Sequence, residues 1–124
     1  MGVRSSSADD RVSARQDAYD LLVATHVVAA LADRGIHGPG AEELIENPSL
    51  RSRDLALLGL SSLDWIALGI QLETATGLQL PDHVLVESEH RCVGGWAKAL
   101  LTGEEMRGDV DGAGIVEPTR RLAP

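Results

Sequence analysis

Two adjacent serines, Ser61 and Ser62, stand where a Gly-Leu pair gives way to the apolar-rich segment Leu63-Asp64-Trp65-Ile66-Ala67-Leu68. Ser61, followed three residues later by Asp64, is a helix-start pattern, so Ser61 fits the N-cap and Ser62 the first helical position. Unpaired backbone amides and the helix dipole favour an anion there, and a phosphate ester on the Ser62 hydroxyl would be well placed. Position alone leaves a plainer reading open, in which Ser62 is an ordinary first-turn residue.

Other reactive side chains assemble no chemistry in the sequence. A serine nucleophile needs a base within hydrogen-bond reach, and His26, His37, His83 and His90 are scattered, none tied by spacing to Ser62. His83 and His90 with Asp82 or Glu87 match no standard metal motif, and the lone Cys92 adds nothing to them. The expectation is no catalytic residue and no metal. The glycines form no phosphate loop, because no Gly-x-x-x-x-Gly-Lys run exists.

Eleven basic residues face nineteen acidic ones, a net charge of -8. Binding a phosphate backbone needs a basic stripe, which argues against a nucleic-acid partner; the acidic balance suits a partner with a basic docking surface. No Lys or Arg falls between Arg53 and Arg91, whereas Asp54, Asp64, Glu73, Asp82, Glu87 and Glu89 all do. One cysteine excludes an internal disulfide and fits a reducing compartment. No stretch approaches the roughly 20 apolar residues that cross a bilayer, and Met1 to Asp10 lacks the apolar core of a secretory signal. A soluble cytoplasmic monomer, off the membrane, is the expectation.

The elements that must position Ser62 read as all-α, in one domain. Residues 1–11 and 104–124 are polar and aperiodic and read as disordered tails, leaving 12–103 as the folded unit. Ser13-Ala14-Arg15-Gln16 has the form of a capping box, and Leu21, Ala24, Thr25, Val28, Leu31 and Ala32 recur at helical spacing until Gly35, which predicts a helix over Ser13–Arg34. Residues 35–61 are broken by Gly35, Gly38, Pro39, Gly40 and Pro48 and read as a long loop, with one or two helical turns possible at Ala41–Glu46. Leu55, Leu57, Leu58 and Leu60 should pack its end onto the core. A second helix runs from Ser62 to about Thr76 and stops at Gly77. Leu78 to Pro81 is extended, and His83–Glu89 holds a short irregular helix. Val93, Trp96, Ala97, Leu100 and Leu101 mark the last helix, ended by Gly103 and weakened by Gly94 and Gly95 at about 1 kcal/mol each against Ala. The core has no Phe, and its only aromatics are Tyr19, Trp65 and Trp96.

At about 100° per residue, the helix from Ser62 carries two apolar stripes. Trp65, Leu68, Gly69 and Leu72 form one; Leu63, Ile66 and Ile70 form another, beside Ser62. One stripe suffices to bury a helix in a small domain. Either this helix is covered on most of its circumference, or the second stripe meets a partner.

The span Asp54–Leu101 resembles the acyl carrier protein family, whose signature Gly-x-Asp-Ser-Leu appears as Gly59-Leu60-Ser61-Ser62-Leu63, with Asp64 next. The likeness continues through Leu72-Glu73, Gly77, Leu80-Pro81 and Val93 to Leu100. With the first helix it covers about three quarters of the chain. The resemblance implies a bundle of three main helices and one short helix. It also implies a 4'-phosphopantetheine arm on Ser62, transferred from coenzyme A with magnesium by a phosphopantetheinyl transferase. The arm would carry acyl thioesters among acyl-loading and condensing enzymes (a ligase, ketosynthase or acyltransferase) of polyketide or fatty-acid biosynthesis. Docking, by the same likeness, falls on Leu63, Asp64, Ile66, Ile70 and Glu73. Two residues depart from the pattern. Ser61 replaces the usual Asp, keeping the cap but losing a charge that could meet the transferase. Cys92 stands where Thr or Ser often caps the last helix. The first departure supports an alternative, a carrier-like docking or scaffold module that never receives an arm.

Overall fold

The computed structural model describes the backbone of residues 3–111 and the side chains of 12–107. Among the described residues every regular element is helical: α1 (Val3–Asp33), α2 (Ala41–Glu46), α3 (Pro48–Arg51), α4 (Leu55–Leu58), α5 (Ser62–Thr76), α6 (Asp82–Val86) and α7 (Val93–Asp111). Three are long, as expected. The segment between the first two long helices is not a plain loop but holds α2, α3 and α4. Side-chain caps open two of these: Asn47 Oδ1 accepts from the Ser49 and Leu50 amides at the start of α3, and Asp54 Oδ1 accepts from Ala56 N at the start of α4.

Both outer helices are longer than the sequence predicts. Ser13 lies inside α1, which begins at Val3; no Gly or Pro separates the two positions, so nothing there stops a helix. Likewise α7 continues through Gly103 to Asp111. One helical glycine costs about 1 kcal/mol, and the turns beyond it are tied down. The Tyr19 hydroxyl donates to Glu104, Arg15 pairs with Glu104 at 3.3 Å, and Arg107 Nη1 donates to Gly77 O at 2.8 Å. Burial, then the Glu104 carboxylate, push the Tyr19 hydroxyl up to about 12. Helix thus enters both segments read as tails; residues 1–2 and 112–124 lie outside the described residues.

The core gathers Val23, Ala24, Val27 and Leu31 of α1, Leu44, Leu55, Leu60, Leu68 and Leu72, and Val93, Trp96, Ala97 and Leu100 of α7. On α1 the buried stripe is one step from the sequence reading. Leu21, Thr25 and Ala32 are exposed, because Asp20, Val23, Val27 and Leu31 turn inward together at i, i+3, i+7 and i+11. Asp20 is a buried acid that the apolar pattern conceals. Arg51 of α3 satisfies it, with Nη2 2.9 and 3.2 Å from its two carboxylate oxygens. Leu55 and Leu60 bury as expected, while Leu57 faces out of the single turn of α4. With no Phe, Trp96 is the largest fully buried side chain, and its Nε1 donates to Val84 O at 2.6 Å. An indole this deep needs such an acceptor.

Gly94 and Gly95, which weaken α7 by propensity, are needed for close approach. A Cβ on Gly95 would stand 2.3 Å from His90 O, and one on Gly94 would stand 2.9 Å from Arg51 Nη1. Cys92 caps this end: its Sγ accepts from Gly95 N at 3.2 Å, the role that the family resemblance gives to Thr or Ser. Gly95→Ala, which sets a side chain against a backbone carbonyl, should cost about 1–3 kcal/mol in urea unfolding. Gly38→Ala, where Ile36 Cγ2 at 3.9 Å is the only close atom, should stay within about 0.5 kcal/mol.

Candidate functional site

The site is built around the start of α5. Gly59 closes α4 at φ +121°, a backbone state that disfavours any side chain, and a Cβ on it would meet Ile36 Cδ1 at 2.6 Å. The motif glycine therefore turns the chain and seats Ile36 beneath the turn. Leu60 is buried, and Ser61 follows in extended conformation as N-cap. Ser61 Oγ accepts from Asp64 N at 3.3 Å, and Asp64 Oδ2 accepts from Ser61 N at 2.8 Å. This reciprocal cap places Ser62 at the first helical position, with its side chain in solvent. Helix geometry leaves the Ser62 and Leu63 amides without an intrahelical acceptor, so the local field is positive beside a free hydroxyl.

The two stripes of α5 part as the sequence allows. Leu68, Gly69 and Leu72 are buried, and Trp65 is half-buried. Leu63, Ile66 and Ile70 are 79, 47 and 58% exposed, so the second stripe is an apolar surface open to water. Single exposed apolar residues are ordinary; three in line on one helix beside a reactive position are a feature to explain.

The acidic members are engaged. Asp64 Oδ2 takes three donors, adding the Ser61 hydroxyl at 2.9 Å and Arg34 Nε to the Ser61 amide. The Ser61 amide first, and the Arg34 guanidinium after it, hold the Asp64 carboxyl below its ordinary value. Glu73 Oε2 accepts from Leu80 N at 2.8 Å and so fixes the extended segment after α5. Two acids of the span from Arg53 to Arg91 meet arginines: Asp64 pairs with Arg34 and Asp54 with Arg91. Arg91 pairs with Asp54 through Nε at 2.8 Å and Nη2 at 2.9 Å, lies 4.1 Å over the Trp65 ring, and donates to Val86 O at 3.3 Å. One guanidinium thereby ties α4, α5 and α6. Sequence reading assigned no role to Arg34 or Arg91; the only signal was that they border the basic-free span or the glycine before it.

The histidines sit elsewhere. His26 Nδ1 is 2.9 Å from Leu22 O, and His83 and His90 meet edge to face at 5.2 Å, with His90 Nε2 3.6 Å from Glu87. Among the described residues no three His, Cys, Asp or Glu gather as for a metal ion, and no helix is long and apolar enough to cross a membrane. The two larger clefts, about 370 and 390 Å³, draw no lining residue from α5.

The helical bundle thus offers a solvent-facing serine on the capped, positive end of a long helix. Residues 43–100, from α2 to α7, match the family described as the phosphopantetheine attachment site. No curated protein and no solved structure matches the chain. Domains of this family take 4'-phosphopantetheine covalently and in general serve as non-catalytic carriers. The residues fit such a group: a free hydroxyl, two unpaired amides for a phosphate, and a cation, Arg34, one residue away.

Ser61→Ala removes the cap and should cost about 1 kcal/mol in urea unfolding, whereas Ser62→Ala, at an exposed position, should change stability by less than about 0.5 kcal/mol. Acid should separate the ion pairs. The Arg91 guanidinium beside Asp54 holds its carboxyl below the unfolded value of 3.8. The stability that Asp54 contributes is therefore complete above 3.8 and is lost as pH falls through the lower folded value. Asp54→Asn should flatten the acid limb of stability measured by denaturant unfolding across a pH series.

Proposed function

We propose that the chain is an acyl carrier protein whose arm is attached at Ser62, in a polyketide or fatty-acid-type pathway. One observation carries this reading: an exposed hydroxyl at the first position of a capped helix, with an unpartnered apolar stripe running down the same helix. In the transfer, Ser62 Oγ attacks the pantetheine-bearing phosphorus of coenzyme A. The new Oγ–P bond replaces the P–O bond to the nucleotide half, which leaves with the bridging oxygen. The Ser62 proton passes to a base supplied by the transferase. Magnesium, also held by the transferase, offsets charge on the pyrophosphate.

The finished arm ends in a thiol that takes acyl groups as thioesters, and this chain binds, orients and hands over without doing chemistry of its own. Its docking surface comprises Leu63, Ile66 and Ile70, flanked by Asp64 and Glu73; with both carboxylates held in internal bonds, the apolar residues carry most of the contact. The setting is cytoplasmic, and the chain acts as a monomer among its loading and condensing enzymes.

A second reading rests on Ser61, which lacks the charge usual at that place, and on Arg34, which adds the opposite one. On that reading the domain is a docking module without an arm. Mass spectrometry after incubation with coenzyme A and a broad-specificity transferase separates the two. Addition of one phosphopantetheine, absent in Ser62→Ala, is the expected result; no addition to the wild-type chain leaves the second reading standing. Ile66→Asp should keep the fold and weaken capture by a cognate condensing enzyme by roughly tenfold or more, the loss typical of a central interface anchor.

A further inference from the structure

The charge around Ser62 is arranged for exchange. Three donors converge on a single oxygen of Asp64, Oδ2: the Ser61 amide, the Ser61 hydroxyl and Arg34 Nε. The first two belong to the helix cap. The third comes from the residue that follows α1, thirty positions earlier, on a side chain that is 46% exposed. Arg34 Nη2 also reaches to 3.4 Å of Ser61 Oγ, which sets the guanidinium one residue from the Ser62 hydroxyl. Arg34 is thus the one partner of Asp64 from outside the cap, and its guanidinium lies beside Ser61, the neighbour of Ser62.

A phosphodiester formed on Ser62 would bring a full negative charge and acceptor oxygens to this place. A guanidinium binds such oxygens with two parallel N–H donors. Asp64, by contrast, offers Arg34 an oxygen already shared with two other donors. Asp33, the last residue of α1, lines the same α1–α5 crevice as Asp64.

We propose that Arg34 is a positioning residue that exchanges partners. It holds Asp64 in the unmodified chain and passes to the arm's phosphodiester once Ser62 is modified. This rests on the carrier reading above. The exchange has two effects. The arm's root is fixed against the end of α1, and Asp64 loses a cation, so its carboxylate faces visiting enzymes only in the modified protein. A transferase would meet the neutralised cap, and a condensing enzyme the acidic one.

The test compares the unmodified and modified full-length chain, in wild-type and Arg34→Gln forms, by two NMR readouts. One is the acid titration of the Asp64 side-chain carbon; the other is the ³¹P resonance of the arm. Modification should raise the Asp64 midpoint in both forms, since a new negative charge lies close, but further in wild type, where Arg34 also departs. The ³¹P resonance should move in Arg34→Gln and return toward its wild-type position in Arg34→Lys. An equal or smaller midpoint rise in wild type, with an unmoved ³¹P resonance, overturns the exchange while leaving the carrier reading intact. A wild-type chain that gains no arm overturns both.

Discussion

Two hydrogen bonds decide where α5 begins. Ser61 Oγ holds the Asp64 amide, Asp64 Oδ2 holds the Ser61 amide, and neither can form if the helix starts a residue earlier or later. The register they set is what turns Leu68 and Leu72 inward, Leu63, Ile66 and Ile70 outward, and the Ser62 hydroxyl into water. A slip of one residue would rotate the helix by about 100° and send the apolar surface under the bundle. Gly59 serves the same end from the other side: its left-handed turn lets Leu60 bury while the next residue is free to cap.

The bundle meets this geometry with a core built mostly from aliphatic side chains. Trp96 is its only large fixed ring, held by Val84 O, and much of the inter-helix order comes from arginines at the rim. Arg51 satisfies buried Asp20, Arg91 joins Asp54 to Trp65 and α6, and Arg107 closes on Gly77. Such bonds are directional but rely on partly solvated charges, whereas a core of branched aliphatics tolerates rearrangement at modest cost.

Much of this was legible in the sequence, and what was not has a physical pattern. The cap, span and stop of α5 are local signals, set by Ser61, Asp64 and the left-handed Gly77, and the structure reproduces them residue by residue. The two stripes follow from periodicity alone. Periodicity placed Ala24 and Leu31 in the buried face of α1 but missed Asp20, an acid that an apolar pattern discards and that Gln16 and Arg51 satisfy. Ser13 and Gly103 misled for a related reason, that a capping pair or a glycine states only a local preference: no breaker precedes Ser13, and past Gly103 the bonds of Glu104 and Arg107 outweigh the glycine. Arg34 and Arg91 were invisible as site residues because their partners lie 30 and 37 positions away in the chain, beyond any spacing rule.

The chain's two indoles occupy opposite kinds of place. Trp96 is sealed in the middle of the fold, and Trp65 lies half in water under the Arg91 guanidinium, on the very helix that carries the open apolar stripe. Without labelling, the protein therefore holds two optical probes that answer different questions. Loosening of the interior registers at the first, and an event along α5 or a break in the α4–α6 clasp registers at the second.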